Sequence, residues 1–359
     1  ISRRSVPATG SLDTVHSAMR GRIMRDKLLV LVPIYNDWAA AGLLLPRLDQ
    51  VFANSDLTAD VLLIDDGSTT SVPADWPGHD WRALDSIEVL SLRRNVGHQR
   101  AIAIALAFVE RHRSPDVVVV MDGDGEDAPE DVPRLLACLH QNERNTVVFA
   151  ERTRRSESAM FQMFYALYRW AHRLLTGIPV RVGNFSAIPF RLLRRLVVVS
   201  ELWNHYAAAV FKARLPRASI PTERAARLAG RSRMNYVDLV MHGLSALSVH
   251  AELVGVRLLV VTAIVVWAMV SALVATLAVR LFTPLTMPAW TSTAVGMLFI
   301  VLLQVLAFTS LFAFLVLHAR SHPTFIPVRD YEYFVDQCVT LVASSRGRNA
   351  PSAPHVSAG

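Results

Sequence analysis

At 359 residues and a formal charge of +7, the chain can build one large or two ordinary domains around a proper core. Its 37 basic residues are nearly all arginine and are dispersed among hydrophobic segments; that argues against a nucleic-acid-binding stripe and suits an anionic membrane surface or a phosphate-bearing substrate. Cys138 and Cys338 stand far apart with no CxxC or Cys/His spacing, which argues against a disulfide framework and a zinc site.

The chain begins at Ile1 rather than Met and reads as processed or trimmed; residues 1–26, polar and arginine-rich, are expected to be disordered. No signal-peptide core precedes the first strand, so the first domain is expected to stay in the cytoplasm. From there strand and helix alternate. "KLLVLVPIY" is a continuous apolar run ending in a loop, and residues 38–54 read as a helix carrying Leu43, Leu44, Leu45, Leu48 and Val51. "DVLLIDDGS" is a second strand, "SIEVLSL" a third, "AIAIALAFVERH" a helix and "DVVVVMDGD" a fourth strand. Apolar runs separated by helices are what a mostly parallel sheet covered on both faces requires, and such a sheet binds ligands beyond the carboxyl ends of its strands. The polar residues fall there: Tyr35, Asn36 and Asp37 after the first strand, Asp65 and Asp66 after the second, Arg93 to Gln99 after the third, Asp122 to Asp127 after the fourth.

Composition changes near residue 254. Leu258–Val279 contains 22 residues and Ala294–Leu317 contains 24, all uncharged. As a helix the first would span about 33 Å, against about 30 Å of bilayer hydrocarbon. With Pro284 and Pro288 in the short connection they read as a transmembrane hairpin within residues 257–319. Arg257, Arg320 and Arg329 flank it outside while Arg280 alone sits in the connection, so both chain ends are expected on the cytoplasmic side. Ahead of the hairpin, residues 236–256 show helical apolar spacing that fits an amphipathic helix on the membrane surface or one packed on the soluble domain. Behind it, residues 320–359 read as an aromatic interfacial segment followed by a disordered tail.

The acidic knot "MDGDGEDAP" needs an explanation, because four neighbouring carboxylates repel one another. An EF-hand loop counted from Asp122 would need Gly and Glu where Asp127 and Pro133 stand, so that reading fails. Asp122 and Asp124, separated by Gly123, can instead share a hard cation such as Mg²⁺ or Mn²⁺ that takes its remaining oxygens from substrate phosphates.

In order and spacing, "VPIYND", "LLIDDGST", "LRRNVGHQRAIAIAL" and "MDGDGEDAPED" resemble the inverting family 2 glycosyltransferases. Within them the chain is most similar to the polyprenyl-phosphate glycosyltransferases, which include dolichol-phosphate mannose synthases and bacterial undecaprenyl-phosphate glucosyl- and aminoarabinosyltransferases. The resemblance covers roughly residues 27–320. It implies a Rossmann-like GT-A catalytic domain over residues 27–235, anchored by the hairpin in a bacterial inner membrane.

The resemblance also implies roles. Pro33, Tyr35, Asn36 and Asp37 would line the nucleotide pocket. Asp65 would bond the base or ribose, with Asp66 shaping the turn. Asn95, Gly97 and His98 would close over the nucleoside, although as bare residues they could equally form a helix-capping loop. Asp122 and Asp124 would bind the metal around Gly123. Glu126 stands where Gln is common, and Asp127 and Pro129 order the loop. Arg152, with Arg154 and Arg155, would meet phosphates; a solvated basic loop is the alternative for the last two. Arg227, Gly230, Ser232 and Arg233 in "RLAGRSRMNYVDL" would close on the pyrophosphate, and arginine's planar fork suits that task. Asn184 in "VRVGNFSAI" replaces an Asp of the family motif. His205 is an acceptor-pocket candidate, or a structural histidine beside Trp203 and Tyr206. The aromatic stretch Phe161, Phe164, Tyr165, Tyr168 and Trp170 reads as core or lipid-facing.

The implied partners are a UDP- or GDP-linked sugar, a polyprenyl phosphate, the membrane and, by resemblance, further copies in a tetramer. Two other readings compete. A processive polysaccharide synthase would carry Gln-x-x-Arg-Trp, but "ALYRW" has Ala166 in the Gln position. A non-catalytic nucleotide-sugar-binding membrane scaffold is the other, and the intact Asp122/Asp124 pair argues against it.

Overall fold

The computed structural model describes residues 26–73, 76, 78–152, 173, 174, 176, 182–229, 245, 247–282, 290–321 and 325–343. They divide into two compact units: a globular unit containing the sheet, and a second unit containing the two long apolar helices.

The globular unit is built on one mixed sheet. Strand β1 (Leu28–Ile34) is seven apolar residues, all buried, as a central strand must be when both faces are covered. It pairs in parallel with β2 (Ala59–Asp65) and with β4 (Val117–Val120), and β2 pairs in parallel with β3 (Leu84–Leu92). Beyond β4, β6 (Val182–Pro189) runs antiparallel to both β4 and β5 (Val147–Arg152), and β5 pairs in parallel with β7 (Arg217–Thr222). At the other edge β8 (Val335–Ala343) is antiparallel to β3. The order is β7-β5-β6-β4-β1-β2-β3-β8.

Helices cover both faces. On one, α1 (Trp38–Asn54) and α3 (Val132–Gln141) pack Leu44, Leu48, Phe52 and Leu135 against Val30, Val32 and Val119. On the other, α2 (His98–His112), α4 (Phe190–Leu196) and α5 (Tyr206–Lys212) pack Ile102, Leu106, Leu193 and Tyr206 against Leu29, Leu31 and Val120. Asp49, buried on α1, accepts hydrogen bonds from the amides of Ala83 (2.8 Å) and Leu84 (3.0 Å), fixing where β3 begins. Alternate residues of each strand thus face opposite layers, and the polar strand ends are left at one rim.

In the second unit, α6 (Ala251–Phe282) and α7 (Trp290–Ser321) are 32 residues each, about 48 Å long at helical rise. Their spans Ala251–Val279 and Val295–Leu315 have mean hydropathies of 2.7 and 2.5. Apolar side chains point outward, with Trp267 72% and Phe308 71% exposed, and these helices show no polar face. A helix apolar all round and uncovered by protein suits lipid.

The first four strands and first two helices lie where the sequence places them. The expected amphipathic helix over 236–256 falls mostly outside the described residues, although Ala251 already belongs to α6. The segment after the hairpin differs from the interfacial strip expected there: Phe325–Ala343 belongs to the globular unit, while the tail expected over 344–359 lies outside the described residues. Tyr331 is 2% exposed in the core over α2, and β8 completes the sheet edge. Both ends of the hairpin therefore join the same globular unit along the chain.

Candidate active site

The site is assembled at the carboxyl ends of β1, β2, β3 and β4. Two loops are locked together first. Asn36 has a left-handed backbone (φ 51°), and its side-chain Oδ1 accepts from the amides of Thr69 (2.8 Å) and Thr70 (3.0 Å). Ser68 Oγ accepts from Asn36 N at 2.8 Å. Asp65 Oδ1 accepts from the Ser68 amide, three residues on, at 2.9 Å and so closes the turn. Asp66, 3% exposed, accepts from Val96 N (2.7 Å) and Gly97 N (2.9 Å) and so ties β2 to the loop before α2. Burial raises its pKa, and these two amides partly offset that. Gly67 (φ 67°) makes the crossing possible: a Cβ there would lie 2.5 Å from Asn95 N.

Asn36 and Asp65, expected at the nucleotide pocket, and Asp66, expected to shape its turn, each spend acceptors on the loops around that pocket, while Tyr35 is 40% exposed beside them.

The acidic knot sorts into distinct roles. Asp127, 3% exposed, turns inward and accepts from Asp122 N at 2.9 Å, ordering the loop. Asp124 Oδ1 accepts from Glu126 N at 3.0 Å. Its Oδ2 receives Arg227 Nη1 at 3.0 Å, and Arg227 Nη2 reaches Asp37 Oδ2 at 2.7 Å. Burial raises the Asp124 pKa, with Asp122 and Glu126 adding to it and Arg227 opposing. Glu126 pairs with Arg224, whose Nε lies 2.7 Å from Oε2. Backbone bonds from Ala225 N to Glu126 O and from Leu228 N to Asp124 O, both 3.0 Å, lay residues 224–228 along the acidic loop.

Gly125 (φ 83°) permits that approach, because a Cβ there would fall 2.4 Å from Leu228 Cγ. Arg224, Gly125 and Leu228 were not singled out from the sequence. The two glycines around Asp124 were the available signal, since one serves the strand end and the other the crossing strap.

On the other side, His98 Nε2 is 3.1 Å from Asp122 Oδ1 and 3.0 Å from Asn184 Nδ2. Burial works against a charged imidazole, but Asp122, Asp127 and Asp66 outweigh it and raise its pKa. Gln99 orients Asn184. Tyr206 N donates to Gln99 Oε1 at 2.8 Å, so Gln99 Nε2 is the atom that donates to Asn184 Oδ1 at 3.0 Å. Asn184 therefore presents its amide nitrogen to His98 Nε2, which accepts from it only as a neutral imidazole; a protonated His98 instead turns Nε2–H to Asp122 Oδ1.

His205 sits elsewhere in the logic: 7% exposed, it caps α5 by accepting from Ala208 N at 3.4 Å. Pro33 lies within β1 with its carbonyl against Gly123, and Asn95 is exposed at the rim. Arg152 ends β5. Arg154, Arg155, Gly230, Ser232, Arg233 and the aromatic stretch 161–170 lie outside the described residues.

Among the described residues no three His, Cys, Asp or Glu side chains form a metal cluster by themselves. The donor chemistry nonetheless fits a hard divalent ion. Asp122 and Asp124 offer carboxylate oxygens from one loop, and Asp124 is already paired with a cation, Arg227. Two protein carboxylates plus substrate oxygens is how Mg²⁺ is commonly held.

Residues 29–197 match the family model for glycosyl transferase family 2. Undecaprenyl-phosphate 4-deoxy-4-formamido-L-arabinose transferase from Salmonella choleraesuis (strain SC-B67) is 26% identical over 221 residues, covering 60% of this chain and 64% of that protein. The protein of the same description from Salmonella paratyphi B (strain ATCC BAA-1250 / SPB7) has the same identity and coverage. The chain thus spans less than two thirds of the length of these relatives. Among solved structures, glucosyl-3-phosphoglycerate synthase from Mycobacterium tuberculosis, in complex with Mn²⁺, UDP-glucose and phosphoglyceric acid, is 17% identical with a TM-score of 0.47, over 70% of this chain and 86% of that one.

Proposed function

Taking residues 29–197 as a glycosyl transferase family 2 domain, we propose that the chain transfers a sugar, with inversion, from a nucleoside diphosphate donor to the phosphate of a polyprenyl phosphate at a membrane surface. The observation that carries this reading is Arg227 clasped between Asp37 and Asp124 at the carboxyl ends of the parallel strands. An acidic loop that needs a cation, covered by a strap that carries one, is the charge arrangement a bound diphosphate and its metal call for.

Asp122 and Asp124 would hold Mg²⁺ or Mn²⁺, which when bound neutralises charge developing on the leaving diphosphate. Asp127 keeps the loop in shape. The pocket walls, Tyr35 and the loops fixed by Asn36, Asp65 and Asp66, orient the nucleoside beside Asn95 and His98. Arg227 and Arg224, together with Arg152 and the Ser232/Arg233 segment, bind phosphate oxygens as the pyrophosphate departs. The nucleophile is an oxygen of the lipid phosphate; it attacks the anomeric carbon as the bond to the diphosphate breaks. A phosphate monoester is already ionised near neutral pH, so no carboxylate has to take a proton, and Asn184 can stand where the family motif has Asp.

The similarity to undecaprenyl-phosphate transferases supports the acceptor class. The apolar hairpin, with both ends joined to one globular unit, supports a bacterial inner-membrane anchor with the globular unit and both termini on the cytoplasmic face. The test incubates the purified chain with labelled UDP- and GDP-sugars, Mg²⁺ or Mn²⁺ and polyprenyl phosphate. A chloroform-soluble labelled product is expected. A growing polymer would instead show a processive synthase, and binding without turnover a scaffold.

A further inference from the structure

Some arginines of the globular unit hold a carboxylate and others do not, Arg217 over the Phe211 ring at 4.1 Å and Arg191 on Asn145 among the latter. Arg47, Arg113, Arg224, Arg227 and Arg329 each hold a carboxylate. Arg94 and Arg100, both exposed at the rim, have no carboxylate partner among the described residues and lie against aromatic rings. The Arg94 guanidinium is 5.9 Å from the Phe334 ring centre and that of Arg100 is 5.0 Å from Trp203. Those rings form a cluster with Phe325: Trp203–Phe325 centroids are 3.8 Å apart, Trp203–Phe334 5.1 Å and Phe325–Phe334 5.8 Å. Beside them Tyr333 is 75% exposed. Arg93 staples the group to the sheet, donating from Nε to Val335 O at 3.0 Å and from its backbone N to Phe334 O at 2.9 Å. In sequence, Phe325 follows Ser321, the last residue of α7, by four positions.

We infer that Arg94, Arg100 and the Trp203–Phe325–Phe334 cluster form a docking edge for the anionic phospholipid headgroups of the bilayer. The inference rests on the reading that α6 and α7 span a membrane. An arginine held over a ring keeps most of its donor fork free for phosphate oxygens, and Arg94 spends only Nη1, 3.5 Å from Asn95 O. Without a carboxylate neighbour its charge is left to attract an anionic surface. Tryptophan and tyrosine favour the depth at which headgroups begin. The cluster explains why chain leaving the second apolar helix is packed at once into the globular unit: it brings three rings to one place, backed by two uncompensated charges.

The test uses the full chain in nanodiscs of phosphatidylcholine alone or with added phosphatidylglycerol, following hydrogen exchange of peptides covering 93–100 and 325–334. Phosphatidylglycerol is expected to slow exchange there while leaving 38–54 unchanged. That effect should shrink by roughly fivefold for each of Arg94→Gln and Arg100→Gln. Equal exchange in both lipids, or a full phosphatidylglycerol effect in the double variant, overturns the docking edge. Protection by inorganic phosphate in detergent that matches phosphatidylglycerol overturns it too, in favour of a soluble-anion site. Sugar transfer measured in the same discs separates the two ideas: turnover without lipid-dependent protection sinks the docking edge alone, whereas protection without turnover in any lipid leaves it standing and sinks the transferase reading.

Discussion

Arg227 sets Nη1 3.0 Å from Asp124 Oδ2, so a side chain far along the sequence supplies the positive charge beside a buried carboxylate. The same guanidinium bonds Asp37, and cutting it leaves two acids facing each other without a cation. Arg227→Ala is expected to cost about 1–3 kcal/mol in the metal-free protein, measured as loss of thermal stability that Mn²⁺ largely restores. Transfer should fall about 10²- to 10³-fold, and Arg227→Lys, which keeps the charge but loses the fork, should recover only part. Wild-type turnover in Arg227→Ala would remove the residue from the phosphate-binding set.

The acidic loop should divide by role when neutralised one residue at a time. Asp122→Asn and Asp124→Asn are expected to lower transfer on the order of 10³-fold, Asp122→Asn with little change in melting temperature and Asp124→Asn with a modest loss from its weakened pair with Arg227. Asp127→Asn should do the reverse, costing about 1–2 kcal/mol of stability, because its carboxylate is spent on Asp122 N. Chelation should abolish turnover in the wild type, and Mg²⁺ or Mn²⁺ should restore it. Identical losses in all three variants would mean the loop acts only as a unit.

Gly125 and Leu228 offer a test of the strap itself. Gly125→Ala places a Cβ 2.4 Å from Leu228 Cγ on a backbone with φ 83°, and is expected to push residues 224–228 off the loop. A loss of about 1–3 kcal/mol follows from steric and backbone strain together. Adding Leu228→Ala relieves the overlap but not the φ, so thermal stability should return in part. No recovery in the double variant would assign the whole effect to the backbone.

The parallel half of the sheet was legible because a strand buried on both faces must read as an unbroken apolar run, and "LLVLVPI" and "VVVV" can hardly be anything else. The other half was not. β6 (Val182–Pro189) carries Gly183, Asn184 and Pro189, and β7 holds Pro221 and alternates exposure as an edge strand does, so neither shows a periodicity that separates it from loop. The acid pair and its arginine could be named from residue type and motif. What could not be read was that Asn36 binds the Thr69 and Thr70 amides, or that Asp66, expected to shape its own turn, does so by holding the loop before α2. Those bonds depend on which loops meet, and only the folded sheet sets that. The segment after α7 misled for a related reason, since aromatics beside a membrane span are also what an edge strand and its turn need to join a core.

His112 gives a pH dependence with a defined sign. Its Nε2 lies 2.9 Å from Tyr331 Oη, joining α2 to the segment that returns from the hairpin. Burial, with Arg113 adding to it, lowers its pKa below the ordinary 6.5. The folded state therefore binds this proton less readily than the unfolded chain, and the stabilisation is present above 6.5 and lost as pH falls through the lowered folded value. Thermal stability should decline over that window in the wild type and decline less in His112→Gln. Parallel profiles for the two proteins would show that His112 does not couple.

Gln99 fixes the direction in which Asn184 points, and that direction can be reversed. With Tyr206 N donating to Oε1, only Nε2 remains to face Asn184 Oδ1, which turns the Asn184 amide nitrogen toward His98. Gln99→Glu keeps the bond from Tyr206 N but cannot donate, so Asn184 must flip and offer an oxygen to His98 Nε2. Nε2 then faces two acceptors, Asn184 Oδ1 and Asp122 Oδ1 at 3.1 Å, and holds a proton, whereas in the wild type it accepts from Asn184. Transfer is expected to fall about tenfold in Gln99→Glu through a raised donor KM, since the cost of one misdirected hydrogen bond is about 1–1.5 kcal/mol. Asn184→Asp in the same background gives His98 an acceptor and Gln99→Glu a second carboxylate to repel, so the double variant should be worse than either single one. If Gln99→Glu matched the wild type in KM and kcat, the orientation of Asn184 would have no bearing on the donor, and the residue would return to a packing role at the foot of α2.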